Sequence, residues 1–358
     1  MMAEQIPLLP TRYQLQDQLS SGQSALVFKV WDKENEQFVL AKIFSNDHQR
    51  AYRREAAAAL ALKHRHIISC LDTFYLTTGE ACLIYDFLQD GTLGHFIKQN
   101  KLAKKDILNI LENILSGLSC LHKHGFVHCD LKPENILLRI SAEHQMIEAI
   151  IADLGSATPI KEARSGKQSM GSPAYTAPER LYEGFSTSSD LYSVGIIAFQ
   201  LITGHLPFIG DVQEVYRAHL SRQPAIHEIK DKELQAFIAL LLEKDSHQRI
   251  ASSEEAIHIL QRLYQPIINQ HSIEMSDNNH VKTHQTLLNI DTLAIRPKQK
   301  WEVKQLPNSI LLSGTNLCLG MVYHDYMCNG LIEQDTLIGS IYTASRGVYE
   351  SNEVNEKA

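Results

Sequence analysis

From residue 13 to 42 apolar and polar positions alternate like strands, with a period of two. The polar stretch 32–36 interrupts them, so 18–30 and 37–44 read as the two strands of a hairpin. An alanine-rich segment, 48–63, follows with helical spacing, and the runs 67–75 and 81–87 read as further strands. From residue 104 the period changes. Ile107, Ile110, Leu111, Ile114, Leu115, Leu118 and Leu121 recur three and four positions apart, and helical spacing returns at 190–203, 232–243 and 253–264. The pattern predicts an α+β chain in which a small β-rich part precedes a larger α-rich part.

The character changes after residue 264. Residues 265–300 are polar and rich in Asn, His and Gln, and read as a linker or loosely ordered arm. Short apolar runs at 310–312, 317–323 and 336–342 then suggest a small β-containing unit, or a segment packed back on the main domain. The expected division is one domain at 11–264 and an extension at 265–358.

Composition narrows the class. The chain has 358 residues, 44% hydrophobic and 21% charged, which suffices for a full buried core. A net charge of -7 argues against a general nucleic-acid binder, which needs a basic surface. The six cysteines form no CxxC pair, so free thiols in a reducing compartment are expected. The apolar run 194–202 is too short to span a bilayer and follows Asp190, and no basic region with an apolar stretch opens the chain. These readings imply a cytoplasmic protein without an integral membrane segment.

The candidate chemistry lies in an ordered series of motifs. Leu19-Ser20-Ser21-Gly22-Gln23-Ser24-Ala25-Leu26-Val27 is a turn of small residues between strand-like runs. Lys42 ends the strand Phe38-Val39-Leu40-Ala41-Lys42, and Glu55 lies in the alanine-rich helix. His128-Cys129-Asp130-Leu131-Lys132-Pro133-Glu134-Asn135, Ile151-Ala152-Asp153-Leu154-Gly155 and Gly171-Ser172-Pro173-Ala174-Tyr175-Thr176-Ala177-Pro178-Glu179 complete the set. Over 11–264 this series resembles the eukaryotic-type (Hanks-type) serine/threonine protein kinase family.

The resemblance implies a bilobal kinase fold, with a β-rich N-lobe and an α-rich C-lobe, that uses ATP and magnesium or manganese on a protein substrate. It makes Asp130 the catalytic base, and Lys132 the cation that stabilises the transferring phosphoryl group. Lys42, paired with Glu55, would hold the α- and β-phosphates, and Asn135 and Asp153 would hold the metal. Ser20, Gly22, Ala25 and Val27 would cover the phosphates, while backbone groups of Asp86 to Leu88 would meet the adenine. The Ser172 hydroxyl would bridge Asp130 and Lys132. Asp190 would support the catalytic loop, and Arg249 would pair with Glu179. Small-molecule phosphotransferases lack both the lysine two residues after the aspartate and the segment ending in Glu179, so a protein acceptor is favoured.

The departures matter. Only Gly22 remains of three loop glycines, which keeps open an alternative reading as a pseudokinase binding module. Leu40 and Leu154 replace the usual alanine and phenylalanine, and Tyr85 stands at the gatekeeper position, implying a small back pocket. Cys129 replaces the arginine that couples an activation-loop phosphate to the site, so activation by that contact is not expected. Thr158, Ser165 and Ser169 are candidate autophosphorylation sites. Glu350, Glu353 and Glu356 read as a solvated acidic tail, or as resembling the C-terminal signals of effectors secreted by intracellular bacteria.

Overall fold

The computed structural model describes residues 8–22, 24–141, 146–163, 171–182 and 184–274, and three strands at 302–306, 309–314 and 317–323. Five strands form the first layer: β1 (Tyr13–Ser21), β2 (Ala25–Asp32), β3 (Gln37–Phe44), β4 (Cys70–Tyr75) and β5 (Ala81–Asp86). They pair antiparallel in the order β1-β2-β3-β5-β4. The period of two divides β3 between two cores. Val39, Ala41 and Ile43 pack with Val30, Phe28 and Ile84 on one face. Leu40 and Phe44 join Leu83 and Tyr85 on the other. That second face is covered by helix α1 (Gln49–Ala61), whose buried residues are Tyr52, Glu55, Ala56, Ala58 and Ala59.

The second part is helical. It comprises α2 (Leu93–Gln99), α3 (Lys104–Lys123), α4 (Ile160–Ala163), α5 (Thr187–Thr203), α6 (Val212–Ser221), α7 (Lys232–Leu241) and α8 (Ser253–Glu274). Helix α5 is apolar around its whole circumference, with Leu191, Tyr192, Val194, Ile196, Ile197, Ala198 and Phe199 all buried, as a central core helix must be. A capping box between Ser186 and Ser189 starts it, and Gly204 at φ +83° ends it. Two short ribbons, β6 (Phe126–Val127) with β9 (Thr158–Pro159) and β7 (Ile136–Ser141) with β8 (Met146–Ile151), lie between α3 and α5 in sequence. The connections of these ribbons carry the candidate site.

The bilobal α+β architecture matches the sequence expectation, with several differences. The run 18–30, read as one strand of a hairpin, is divided between β1 and β2, and neither α4 nor the two short ribbons was expected. The run 67–75 is not one strand: Ile67 bridges Ile151 of β8, and the chain joins the five-stranded sheet only at Cys70. Helices α2 and α6 fall where no element was expected. Helix α8 continues to Glu274, so 265–274, read as the start of a linker, are helical. Beyond it β10 (Glu302–Leu306), β11 (Ser309–Gly314) and β12 (Leu317–Tyr323) form an antiparallel meander, which covers the runs 310–312 and 317–323. The run 336–342, Ser165, Ser169 and the acidic tail lie outside the described residues. Among the described residues no helix is long and apolar enough to cross a membrane, and Cys70, Cys82, Cys120 and Cys129 are free thiols.

Candidate active site

Lys42 leaves β3 on the face that α1 covers. Its Nζ lies 2.9 Å from Glu55 Oε1 and 2.8 Å from Oε2, and 2.9 Å from Asp153 Oδ1. Burial alone would lower the Lys42 pKa, but the two carboxylates reverse this and hold it above the usual lysine value. Burial likewise works to raise the Asp153 carboxyl, and Lys42 keeps it below its usual range. At Gly155 a Cβ would fall 2.9 Å from Glu55 Oε2 and 3.2 Å from Asp153 Oδ1, so the ion pairs fill the space a side chain would need.

The segment 128–135 forms the second half of the site. Asp190, buried at the start of α5, accepts the backbone amides of His128 (2.8 Å) and Cys129 (3.1 Å) and also contacts His122 Nε2 at 2.8 Å. Lys132 Nζ donates to Asp130 Oδ2 at 2.9 Å. Asn135 Nδ2 donates to the Asp130 carbonyl at 2.9 Å, and Ala152 donates its amide to the Asn135 carbonyl at 2.8 Å. A chain of contacts therefore runs from Glu55 and Lys42 to Asp153, across the backbone of Ala152 to Asn135, and on to Asp130 and Lys132. Strained backbone occurs within it at Asp153, φ +54°, and beside its Asp130 end at Cys129, φ +70°.

Ser172 meets this network differently from the sequence expectation. Its hydroxyl accepts from Lys132 Nζ at 2.7 Å, but the bond to Asp130 Oδ1, at 2.9 Å, comes from its backbone amide. The reason is Gly171 at φ +68°, which turns the chain so that the amide and not the hydroxyl faces the carboxylate. Glu179 and Arg249 form the expected pair, doubly bonded at 2.6 and 2.7 Å and fully buried.

The remaining candidates line the sheet side. Between β1 and β2 the Gly22 amide donates to the Ala25 carbonyl at 2.9 Å, with Ser20 opposite Val27 and Val27 opposite Lys42. Leu88 packs in the cluster beneath α1. The Asp86 amide is committed to the Ser69 carbonyl at 3.1 Å. Thr158 is a correction: it is buried in β9, with its hydroxyl on the Ser156 carbonyl, and is not presented for modification.

Three contacts were not read from the sequence. His122 joins Asp190 from α3. Tyr85 donates its hydroxyl to Glu55 Oε1 at 3.0 Å. Arg180 Nη1 donates to the Cys129 carbonyl at 2.7 Å, with its guanidinium 3.5 Å from the centre of the Phe185 ring. The partners lie 68, 30 and 51 residues apart, so no local pattern signals them.

The donor set near Asp153 suits a hard cation. Asp153 offers a carboxylate, and Asn135, with its amide nitrogen turned to Asp130, offers the opposite amide oxygen. Among the described residues no group of three or more His, Cys, Asp or Glu side chains forms a closed metal cage. Two oxygen ligands completed by phosphates and water is the arrangement magnesium favours.

Comparison with known proteins places this geometry in a family. The model for the protein kinase domain matches residues 13–264. Human death-associated protein kinase 2 is 28% identical over 265 residues, covering 69% of this chain and 70% of that protein. Serine/threonine-protein kinase PrkC of Bacillus subtilis is 34% identical over 212 residues, covering 56% of this chain and 32% of its own length. Serine/threonine-protein kinase PksC of Streptomyces coelicolor is 30% identical over 265 residues, 68% of this chain and 47% of its own. The chain thus spans less than half of these two bacterial relatives, and the stretch matched by the family model, 13–264, holds Lys42, Glu55, Asp130 and Asp153. The chain belongs to the Hanks-type serine/threonine protein kinases.

Proposed function

We propose that this kinase is catalytically active, and that it transfers the γ-phosphoryl group of ATP to serine or threonine hydroxyls of a protein with Asp130 as the base. The observation that carries the reading is the contact chain from Lys42 to Asp130. A protein kept only as a scaffold has no need to hold two strained residues and a buried ion pair in register.

In this reading Lys42, fixed by Glu55, binds the α- and β-phosphates. Ser20, Gly22, Ala25 and Val27 lie over them, and the small side chains permit backbone approach. With the Asp86 amide already taken, the adenine meets the Asp86 carbonyl and the backbone of Leu88. Asn135 and Asp153 hold magnesium, or manganese, which neutralises phosphate charge when bound. Asp130 orients the acceptor hydroxyl and takes its proton, and Lys132, 2.9 Å from it, faces the developing negative charge. The acceptor oxygen must displace or share the Ser172 amide at Asp130 Oδ1, which makes the 171–179 segment part of the substrate site.

The pseudokinase alternative rests on the loop, where Ser20 and Ala25 replace glycines. One assay separates the two. Purified protein is given γ-labelled ATP, magnesium or manganese, and a generic protein acceptor, with Asp130→Asn and Asp153→Asn alongside. Label on serine or threonine, lost by about 100-fold or more in both variants, is the expected result. No label, with ATP still raising the melting temperature, would overturn the catalytic reading in favour of the scaffold.

A further inference from the structure

Helix α1 carries the glutamate on which Lys42 depends, yet its buried face is made mostly of alanine: Ala56, Ala58 and Ala59, with Tyr52 and Glu55. Methyl groups bury little apolar area, so packing alone fixes this helix weakly. Polar fasteners must therefore set its orientation. Two tyrosines act in this way. The Tyr52 hydroxyl shares a hydrogen bond with Thr73 Oγ1 of β4 at 2.9 Å, anchoring the first turns of the helix to the sheet. Tyr85, on β5 and 5% exposed, crosses beneath the sheet and donates to Glu55 Oε1 at 3.0 Å.

Tyr85 is placed for this by its register. It stands opposite Leu40 across the β3–β5 ladder, and both rest in the apolar cluster under α1, so its ring cannot swing away without opening that cluster. Burial and the neighbouring Glu55 raise the Tyr85 phenol far above its usual value, so it remains a hydrogen donor at any working pH. Glu55 is 2% exposed, and the same Oε1 that accepts from Tyr85 accepts from Lys42 at 2.9 Å. A swing of α1 outward would leave the buried Tyr85 hydroxyl without its acceptor and Lys42 with Asp153 as its remaining carboxylate.

We propose that Tyr85 is a positioning residue for phosphoryl transfer: its hydroxyl latches Glu55, and with it α1, in the orientation that holds Lys42 at the phosphate site. The latch is built into the sheet and requires no modified residue. The inference rests on the catalytic reading above for the role of Lys42, but the latch itself is a property of α1 that can be measured without catalysis.

The test is Tyr85→Phe in the full chain, which keeps the ring and removes only the hydroxyl. Amide hydrogen exchange across residues 49–61 and steady-state kinetics against ATP are both read. The expected result is exchange in α1 faster by about tenfold, with the helices of the second lobe unchanged. The kcat/KM for ATP falls by about 5- to 50-fold, the KM for the protein acceptor is unmoved, and the melting temperature stays within a few degrees. In a Glu55→Ala background, where the acceptor is gone and activity is already low, Tyr85→Phe adds no further change in α1 exchange beyond twofold. Exchange in α1 within twofold of wild type would overturn the latch, including where kinetics change, because Tyr85 would then act by another route. If wild type transfers no phosphate at all, the catalytic reading fails, and the exchange comparison still decides on the latch.

Discussion

Cys129 sits at φ +70°, a backbone region that a side chain other than glycine enters at a cost of about 1–3 kcal/mol. Three contacts offset that cost: Asp190 takes its amide, Arg180 takes its carbonyl, and the thiol lies in an apolar pocket with Val127, Ala163 and Phe185. Burial also pushes the thiol pKa well above its usual value, so Cys129 behaves as a small apolar residue and not as a nucleophile. The sequence shows that an arginine is missing here. It does not show that a different arginine, 51 positions on, occupies the underside of the same loop. Restoring the family residue is therefore expected to harm the protein. Cys129→Arg places a second cation beside Arg180, whose pKa burial has already lowered to about 10. The expected cost is about 3 kcal/mol, a fall in melting temperature on the order of 6–10 °C, with Cys129→Ser much milder. A Cys129→Arg protein that melts with wild type would refute this account of the pocket.

At the level of elements, the segment 171–179, part of the proposed substrate site, rests on α6 through a buried polar column. Lys244 Nζ donates to the Tyr192 hydroxyl at 3.2 Å, and that hydroxyl contacts His219 Nδ1 at 2.9 Å. With Lys244 donating to its oxygen, the tyrosine hydroxyl turns its own hydrogen towards Nδ1, which accepts it as a neutral imidazole. Burial, with Lys244 adding to it, lowers the His219 pKa to about 3, and the backbone of Ala174 and Pro173 lies on its other side. A free histidine in the unfolded chain takes up a proton near pH 6.5, whereas folded His219 does so only near 3. Its contribution is present above 6.5 and is lost progressively as pH falls towards 3. Between about pH 7.5 and pH 5 wild type is expected to lose about 2 kcal/mol more unfolding free energy than His219→Gln. Urea titrations at the two pH values measure this, and parallel losses in both proteins would remove His219 as the cause. None of this column was legible. Helix α6 is only ten residues long, and a lone histidine on an apolar face gives no sign of its partners. Helix α3, with long unbroken periodicity, was readable from its start, and the run 190–203 found α5 apart from its first residues, Thr187 to Ser189.

Across the whole molecule, the run 64–68 decides how the lobes join. The sequence shows one apolar stretch, 67–75, and apolar character does not say which sheet a residue will pair with. The structure divides it. The Ile68 amide donates to the Ile151 carbonyl at 2.8 Å, and the Ile151 amide to the His66 carbonyl at 2.9 Å. Arg65 pairs with Glu148 in the same region. These residues are thus bolted to β8 of the helical lobe, while α1 before them and β4 after them belong to the sheet. Because α1 leads straight into this joint, the joint is also the pivot about which Glu55 would swing. Gly117 of α3 makes the close approach possible. A Cβ there would stand 2.6 Å from the His66 carbonyl oxygen and 2.9 Å from Ile151 Cδ1. The oxygen is backbone and cannot move without pulling the bridge apart, so even Gly117→Ala is expected to destabilise, by about 1–3 kcal/mol. The alanine would otherwise favour a helix interior by about 1 kcal/mol, which makes the sign of the result informative. A lower melting temperature together with faster hydrogen exchange at 66–68 and 151 is the expected outcome. A more stable Gly117→Ala protein would mean that helix propensity outweighs the contact, and that the lobes are not joined through this bridge.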